Sequence, residues 1–311
     1  MNLLGTRDIR QLCGELGIRP SKKRGQNFVT DPGTVRRIAA LGVVEGEESP
    51  TVLEIGPGLG SLTLALLERG AKVAAVEIDR LLAQSLPETV RAHGGNVESL
   101  RVIQQDALQT ASGAQLVEGT GWEEPRLLVA NLPYNVATPL LLHALEVMPK
   151  LRRAVVMVQA EVADRWVAKA TDEAYGAPSA KLAWWGRAQR AFAVSRQVFI
   201  PVPNVDSTVL EFEREDILDR LIQNGLSGLE DASKGQVERL RQETFDVIAQ
   251  AFGQRRKTLR QALALYAGSP NEAASLVEKA GLDPSLRAER LEVVDFAKIA
   301  GVKMNRDGEW Q

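Results

Sequence analysis

The chain has 311 residues, of which 44% are apolar and 25% charged, with a formal net charge of −2. These values belong to a globular protein of one large or two ordinary domains and exclude extended disorder and collagen-like or fibrous architectures. No apolar run approaches the ~20 residues of a bilayer-spanning helix, residues 1–10 carry no apolar signal core, and the single cysteine, Cys13, leaves no internal disulfide or cysteine-built zinc cluster, so a cytoplasmic location is expected.

In chain order, a β-rich run at 51–55 leads into a helical stretch at 61–69. A strand at 72–78 and a helix at 80–93 follow, then strands at 100–105 and 126–130, a helix at 138–147 and a strand at 153–159. This alternation, with Val/Ile/Leu-rich strands, predicts a mostly parallel sheet covered on both faces. Two further strands, 191–198 and 207–213, are separated by Pro201 and Pro203, a link that suits an antiparallel return. After 214 the strands stop. Helices are predicted at 238–251, 255–266, 271–280 and 287–299, with a loop at 224–235. The expected organisation is an α/β domain over 1–214 and a small all-helical domain over 215–311.

The modest net charge hides two basic clusters. Residues 1–37 carry Arg7, Arg10, Arg19, Lys22, Lys23, Arg24, Arg36 and Arg37 against Asp8, Glu15 and Asp31. Residues 249–271 carry Arg255, Arg256, Lys257 and Arg260 with no acid. Such clusters either meet phosphates or form solvated helix faces. His93 and His143 stand apart without metal-spaced partners and read as packing or surface residues; no metal site is expected.

Three signals carry chemistry. First, Val52-Leu-Glu-Ile-Gly-Pro-Gly-Leu-Gly60 runs a strand into a glycine-rich turn that lets backbone approach a ligand at Gly56 and Gly58. It departs from the GxGxxG dinucleotide fingerprint, because Ser61 occupies the third glycine's place. Second, Glu77 ends the next strand about 20 residues after Gly56, where an open α/β sheet places an acid against ribose hydroxyls. Asp106 ends the third strand on the same edge, whereas Asp79 points to the other face. Third, the fourth strand runs into Asn131-Leu-Pro-Tyr134. An amine conjugated to an adenine ring is a poor nucleophile. Two acceptors, the Asn131 side-chain oxygen and the Leu132 carbonyl, can take its two N–H groups and aim its lone pair at a methyl donor. Pro133 fixes the backbone, and Tyr134 offers a face on which a flipped base stacks.

With these motifs the chain resembles the ribosomal RNA adenine dimethyltransferases. The resemblance rests on Gly25-Gln-Asn-Phe28, Glu54-Ile-Gly-Pro-Gly58, Val76-Glu-Ile-Asp79, Gln105-Asp-Ala107 and the run from Asn131 to Pro139. It continues through Gln159-Ala-Glu-Val162, Tyr175-Gly176, Phe199-Ile-Pro-Val-Pro203 and Val205-Asp-Ser207, covering about 25–215. It implies a class I (Rossmann-like) methyltransferase fold with a seven-stranded sheet and a small C-terminal all-helical domain. The implied cofactor is S-adenosyl-L-methionine, held by Asn27, the Val29 backbone, Gly56, Gly58, Glu77 at the ribose and Asp106 at the adenine amine. Asn131 would bridge cofactor and target amine, beside the Leu132 carbonyl. Tyr134 and Phe199 would sandwich the target base. Within the family the motifs are closest to the small-subunit group, which dimethylates two adjacent adenines near the 3′ end of 16S rRNA. The expected partner is therefore 16S rRNA in the 30S or pre-30S subunit, with a role in ribosome assembly, no membrane association and a monomeric state.

Two positions depart from the family pattern. Asn204 stands where the family usually has Lys before Val-Asp-Ser, and Ala177 where it often has Arg. Both lose a cation near the implied RNA face, for which Lys181, Arg187 and Arg190 could compensate. Trp184 and Trp185 read as packing residues. A 23S rRNA methyltransferase of the macrolide-resistance type is an alternative that Leu132 and Asn135 fit less well. An NAD(P)-dependent oxidoreductase is a second, opposed by the broken fingerprint and the Asn-Leu-Pro-Tyr turn.

Overall fold

A computed structural model describes residues 1–18, 27–44, 46, 48–226, 229 and 232–308. Gly25, Gln26, the cations Arg19, Lys22, Lys23 and Arg24, and part of the predicted 224–235 loop lie outside the described residues. The chain forms two compact units, residues 1–163 with 188–214 and residues 164–187 with 215–311.

The first unit begins with α1 (Thr6–Glu15), which buries Ile9, and the short β1 (Phe28–Val29). α2 (Pro32–Gly42) starts at Asp31, whose Oδ2 accepts the Thr34 N–H at 2.7 Å, with Pro32 preset for the first turn. The predicted alternation follows as β2 (Thr51–Ile55), α3 (Ser61–Glu68), β3 (Lys72–Glu77), α4 (Arg80–Ala92) and β4 (Leu100–Gln104). It continues through α5 (Gly113–Val117), β5 (Leu127–Asn131), α6 (Ala137–Val147) and β6 (Arg153–Gln159). After α7 (Ala160–Val167) and α8 (Ala177–Trp185) come β7 (Gly186–Val194), β8 (Phe199–Ile200) and β9 (Ser207–Arg214).

Seven strands form one sheet in the order β4-β3-β2-β5-β6-β9-β7. β4, β3, β2, β5 and β6 pair in parallel, and β9 joins β6 antiparallel with Ser207 opposite Gln159. Every residue of β2 is buried, as expected for a strand covered on both faces. The chain winds outward from β2 through β3 to β4, then returns to the other side of β2 as β5. That reversal opens a crevice at the carboxyl ends of β2 and β5, where open α/β sheets bind ligands.

The predicted strand at 191–198 differs from the structure. β7 starts at Gly186 and ends at Val194, and Arg196–Val198 forms a 3-10 turn. The next two residues, β8, leave the main sheet and pair antiparallel with β1, Val29 opposite Phe199. Thr30 fixes this exit: its N–H and its Oγ1 donate to the Val198 carbonyl at 2.8 and 3.1 Å.

In the second unit α8 joins α9 (Ile217–Gln223), α10 (Lys234–Gly253), α11 (Leu259–Ala262), α12 (Ala264–Ala267), α13 (Pro270–Lys279) and α14 (Val293–Arg306). Ser233 and Gln236 cap α10 reciprocally. Residues 164–187 fall in this unit rather than in the first, where the sequence reading put them. The reason is aromatic packing. Trp184 meets Phe245 edge-on at 6.3 Å, Tyr175 meets Phe252 at 5.8 Å, and the Tyr175 hydroxyl donates to Leu291 O at 2.8 Å. The predicted helix at 255–266 is split in two at Leu263, with no helix through the Arg255-Arg256-Lys257 run. That at 287–299 begins only at Val293, after a 3-10 turn.

Candidate active site

β2 ends at Ile55, and the Gly56 N–H still donates to Val76 O at 2.9 Å, one residue beyond the strand. The chain then turns sharply because Gly56, Gly58 and Gly60 adopt φ of +70°, +59° and +97°. A Cβ at position 58 would lie 3.0 Å from the Phe28 ring, and one at position 60 would lie 2.7 Å from Leu86. The turn therefore needs glycine for both backbone sign and space. Ser61 opens α3, and its Oγ donates to Val29 O at 2.7 Å, fastening β1 beside the turn.

These elements enclose a cavity of about 530 Å³, a size suited to a small-molecule cofactor. All seven residues expected to bind the cofactor line it: Asn27, Val29, Gly56, Gly58, Glu77, Asp106 and Asn131. Glu77 is buried. Its Oε2 accepts the Gly58 N–H at 3.1 Å and its Oε1 the Asp79 N–H at 2.9 Å. Each oxygen keeps a second lone pair, enough for a diol. Burial raises the Glu77 pKa, with the backbone donors opposing the shift. Asp106 accepts the Leu108 N–H at 3.0 Å, and Asp79 caps α4 through the Leu81 and Leu82 N–H groups.

The Asn131 amide is oriented by its surroundings. Its Nδ2 donates to the main-chain oxygen of Asn27 at 3.1 Å. The Oδ1 atoms of Asn131 and Asn27 are both buried without a hydrogen-bond partner among the described residues. A buried acceptor left unsatisfied costs roughly 1–3 kcal/mol, so both atoms suit a ligand's N–H groups. Ile78, Leu108 and Val136, exposed at 67%, 38% and 37%, give the same cavity apolar walls that a flat ring would cover. A diol acceptor, two orphaned amide oxygens and apolar walls together fit an adenosyl group carrying an amino-acid tail.

The sequence reading missed Glu54. It is 1% exposed and lines the cavity, with a single hydrogen-bond donor among the described residues, Thr63 Oγ1 at 2.7 Å. Burial pushes its carboxyl up to about 8, with the nearby Glu77 carboxylate adding to the shift and Thr63 opposing it. An acid two residues ahead of the glycine turn was the available signal.

Of the residues expected to handle the base, Asn131 lines the cavity and Leu132, Tyr134 and Phe199 do not. Leu132 is 1% exposed, with its N–H given to Met157 O at 3.1 Å, so only main-chain atoms of this residue can serve a substrate. Tyr134 sits half-buried on the following turn, with its hydroxyl 2.8 Å from Ser207 Oγ; burial raises its pKa. The structure does not bring Phe199 to the cavity. Its side chain is 1% exposed inside the apolar core, held there by the pairing of β8 with β1.

Several expected cations are already engaged. Arg36 pairs with Glu68 at 2.8 Å, Arg37 stacks 3.7 Å over Phe192, and Arg187 pairs with Glu215 at 2.5 Å. Lys181 lies 5.2 Å over Phe245, and burial lowers its pKa. Arg255 donates to Glu173 O at 2.8 Å, and Arg260 to Asn271 Oδ1 at 2.9 Å. Arg196 donates to Asn204 O at 3.0 Å, which supplies a cation at the loop where the family's lysine is missing. His143 and His93 bond the main-chain oxygens of Thr110 and Asn2. Among the described residues no cluster of His, Cys, Asp and Glu could hold a metal ion, and no helix is long and apolar enough to cross a membrane.

Sheet order, glycine turn and cavity define a class I methyltransferase fold. A dimethyladenosine transferase from Plasmodium falciparum shares it with a TM-score of 0.66 at 21% identity, covering 90% of this chain and 98% of that one. The 23S rRNA methyltransferase ErmE shares it at 0.56 and 22%, covering 88% and 98%. Residues 19–221 match the family model described as ribosomal RNA adenine dimethylase. The chain is 48% identical over 299 residues to the ribosomal RNA small subunit methyltransferase A of Thermobifida fusca, covering 96% of this chain and 95% of that protein. It is 45% identical over 310 residues to the protein of the same name in Corynebacterium jeikeium, covering 98% and 97%. The chain belongs to the ribosomal RNA adenine dimethylase family. An NAD(P)-dependent oxidoreductase is thereby set aside.

Proposed function

We propose that this chain transfers methyl groups from S-adenosylmethionine to the N6 amines of two adjacent adenines near the 3′ end of 16S rRNA, in the 30S or pre-30S subunit. The observation that carries the reading is the oriented Asn131 amide. With Nδ2 committed to Asn27 O, the orphaned Oδ1 is the acceptor at the cavity's edge. It takes one N–H of the target amine and the Leu132 carbonyl takes the other, which withdraws the nitrogen lone pair from the ring. The bound cofactor supplies an activated sulfonium methyl, with S-adenosylhomocysteine as leaving group. Orientation then dominates the catalysis, and the amine releases its proton after attack, so no strong base is required.

Glu77 holds the ribose diol, Asp106 the adenine amine, and the Gly56–Gly58 backbone approaches the cofactor closely. Asn27, the Val29 main chain and Glu54 receive its amino-acid end, Glu54 as an ionised partner for a cationic group. The Tyr134 ring stacks on the flipped target base. Phe199 acts through its pairing with Val29, keeping Asn27–Val29 against the cavity, rather than as a second stacking face. In this reading the enzyme acts as a monomer, with the cavity lined by residues of the α/β unit. The exposed Arg256 and Lys257 of the helical unit suit RNA phosphates, and binding through them weakens steeply with salt.

The test is methyl transfer from tritiated S-adenosylmethionine to small subunits lacking this modification, with large subunits in parallel and the labelled nucleoside identified by chromatography. Dimethyladenosine from small subunits alone is the expected result. Label on large subunits alone would reassign the substrate to 23S rRNA.

A further inference from the structure

Tyr134 belongs to neither strand nor helix. It lies on the turn between β5 and α6, where Leu132 N–H to Met157 O and Val136 N–H to Pro133 O are the main-chain hydrogen bonds. Neither of these bonds involves the tyrosine side chain. Its hydroxyl, however, reaches a residue 73 positions away: Ser207 Oγ, at 2.8 Å.

Ser207 is 1% exposed and is itself rigidly set. It is the first residue of β9 and pairs with Gln159, the last of β6. Its neighbour Asp206 accepts the Ala160 N–H on its carbonyl at 3.1 Å and the Arg196 N–H on its carboxylate at 2.9 Å. The tyrosine is thus pinned at its far end to the sheet, while its half-buried ring keeps a part exposed. A phenol tied in this way contributes its face and not its proton, and burial keeps it neutral.

Resting on the functional reading above, we propose that Ser207 is a positioning residue for methyl transfer: through the Tyr134 hydroxyl it holds the ring as a fixed platform for the acceptor base. A platform already in place removes the cost of ordering it when the base arrives. The role is separate from cofactor binding, because neither Ser207 nor Tyr134 lines the cavity.

Tyr134→Phe breaks the tie without touching β9, and Ser207→Ala breaks it from the other side. With tritiated S-adenosylmethionine and unmethylated small subunits, each variant should lower the single-turnover rate by about tenfold, the upper range for one neutral hydrogen bond. The double variant should be no slower than either single one, since both remove the same interaction. Affinity for S-adenosylhomocysteine by calorimetry should stay within about twofold of the unaltered protein, a split that general loss of structure would not give. Ser207→Thr, which restores a hydroxyl, should recover most of the rate.

A wild-type rate in Tyr134→Phe would overturn the proposal even if Ser207→Ala does not fold. Multiplicative losses in the double variant, or a loss of cofactor affinity matching the loss of rate, would overturn it too. If the unaltered protein labels no small subunit, the functional reading fails first and this inference falls with it.

Discussion

In the helical unit, Tyr175 donates to Leu291 O at 2.8 Å, Thr244 to Leu240 O at 2.6 Å, and the buried Arg241 grips Glu238 through Nε and Nη2 at 2.9 and 2.5 Å. In the α/β unit, Asn27 Oδ1 and Asn131 Oδ1 are buried with no partner among the described residues, and Glu54 has a single donor. The first set ties segments distant in sequence or adjacent turns of one helix. The second set converges on one cavity. Burying polar groups without partners is costly, so a fold that keeps several together has another use for them. The difference teaches where to look: unpaired acceptors that gather on one cavity suit a ligand, whereas an isolated buried atom such as Arg153 Nε, away from the cavity, marks none.

That contrast can be broken most sharply at Asn131. Asn131→Ala should lower methyl transfer by about 100-fold or more, because it removes the acceptor proposed for the reacting amine. Its Tm should change little, since the unsatisfied buried oxygen disappears but the Nδ2 bond to Asn27 O is lost with it. A tritium-transfer assay beside thermal unfolding reads both, and near-wild-type transfer would remove Asn131 from the mechanism.

Glu54 sharpens the comparison through pH. In the folded, ligand-free protein its carboxyl holds a proton up to about pH 8, whereas the ordinary value is 4.5. Between those values the unfolded chain binds fewer protons than the folded one. Stability should therefore fall as pH rises through this window, by at most about 1.4 kcal/mol per pH unit from this group. Glu54→Gln should flatten the slope in urea unfolding series at pH 5 to 8. Glu77 is shifted the same way and leaves a residual slope. An unchanged slope in the variant would show that Glu54 is already ionised.

The smallest effect belongs to the helical unit. Tyr175→Phe should cost about 1 kcal/mol of stability by stranding Leu291 O, with the rate of methyl transfer at saturating substrates unchanged. Urea unfolding and the tritium assay separate the two. A rate loss larger than the stability loss would mean that this unit's paired groups also serve the reaction.

The strand–helix alternation, the glycine turn, the acids Glu77 and Asp106, and the Asn131–Tyr134 turn were all legible in the sequence. Each is a local device: a strand end, the turn after it and the side chain it presents are contiguous, so their chemistry is written in consecutive residues. Assembly of the seven residues expected to bind the cofactor around one cavity followed from strand order, which periodicity implied. What the sequence did not carry depends on groups distant along the chain. Asn131 is oriented by a carbonyl 104 residues away and Tyr134 by a serine 73 residues away. Phe199 is drawn into the core by β1 pairing, and residues 164–187 are claimed by aromatic partners in the C-terminal helices. Glu54 reads as an ordinary acid until its burial is known. Sequence alone determined which chemistry the chain can present, because that chemistry is local. Tertiary structure decided which polar groups are left unpaired and which rings are pinned, because burial and pairing are properties of the packed chain.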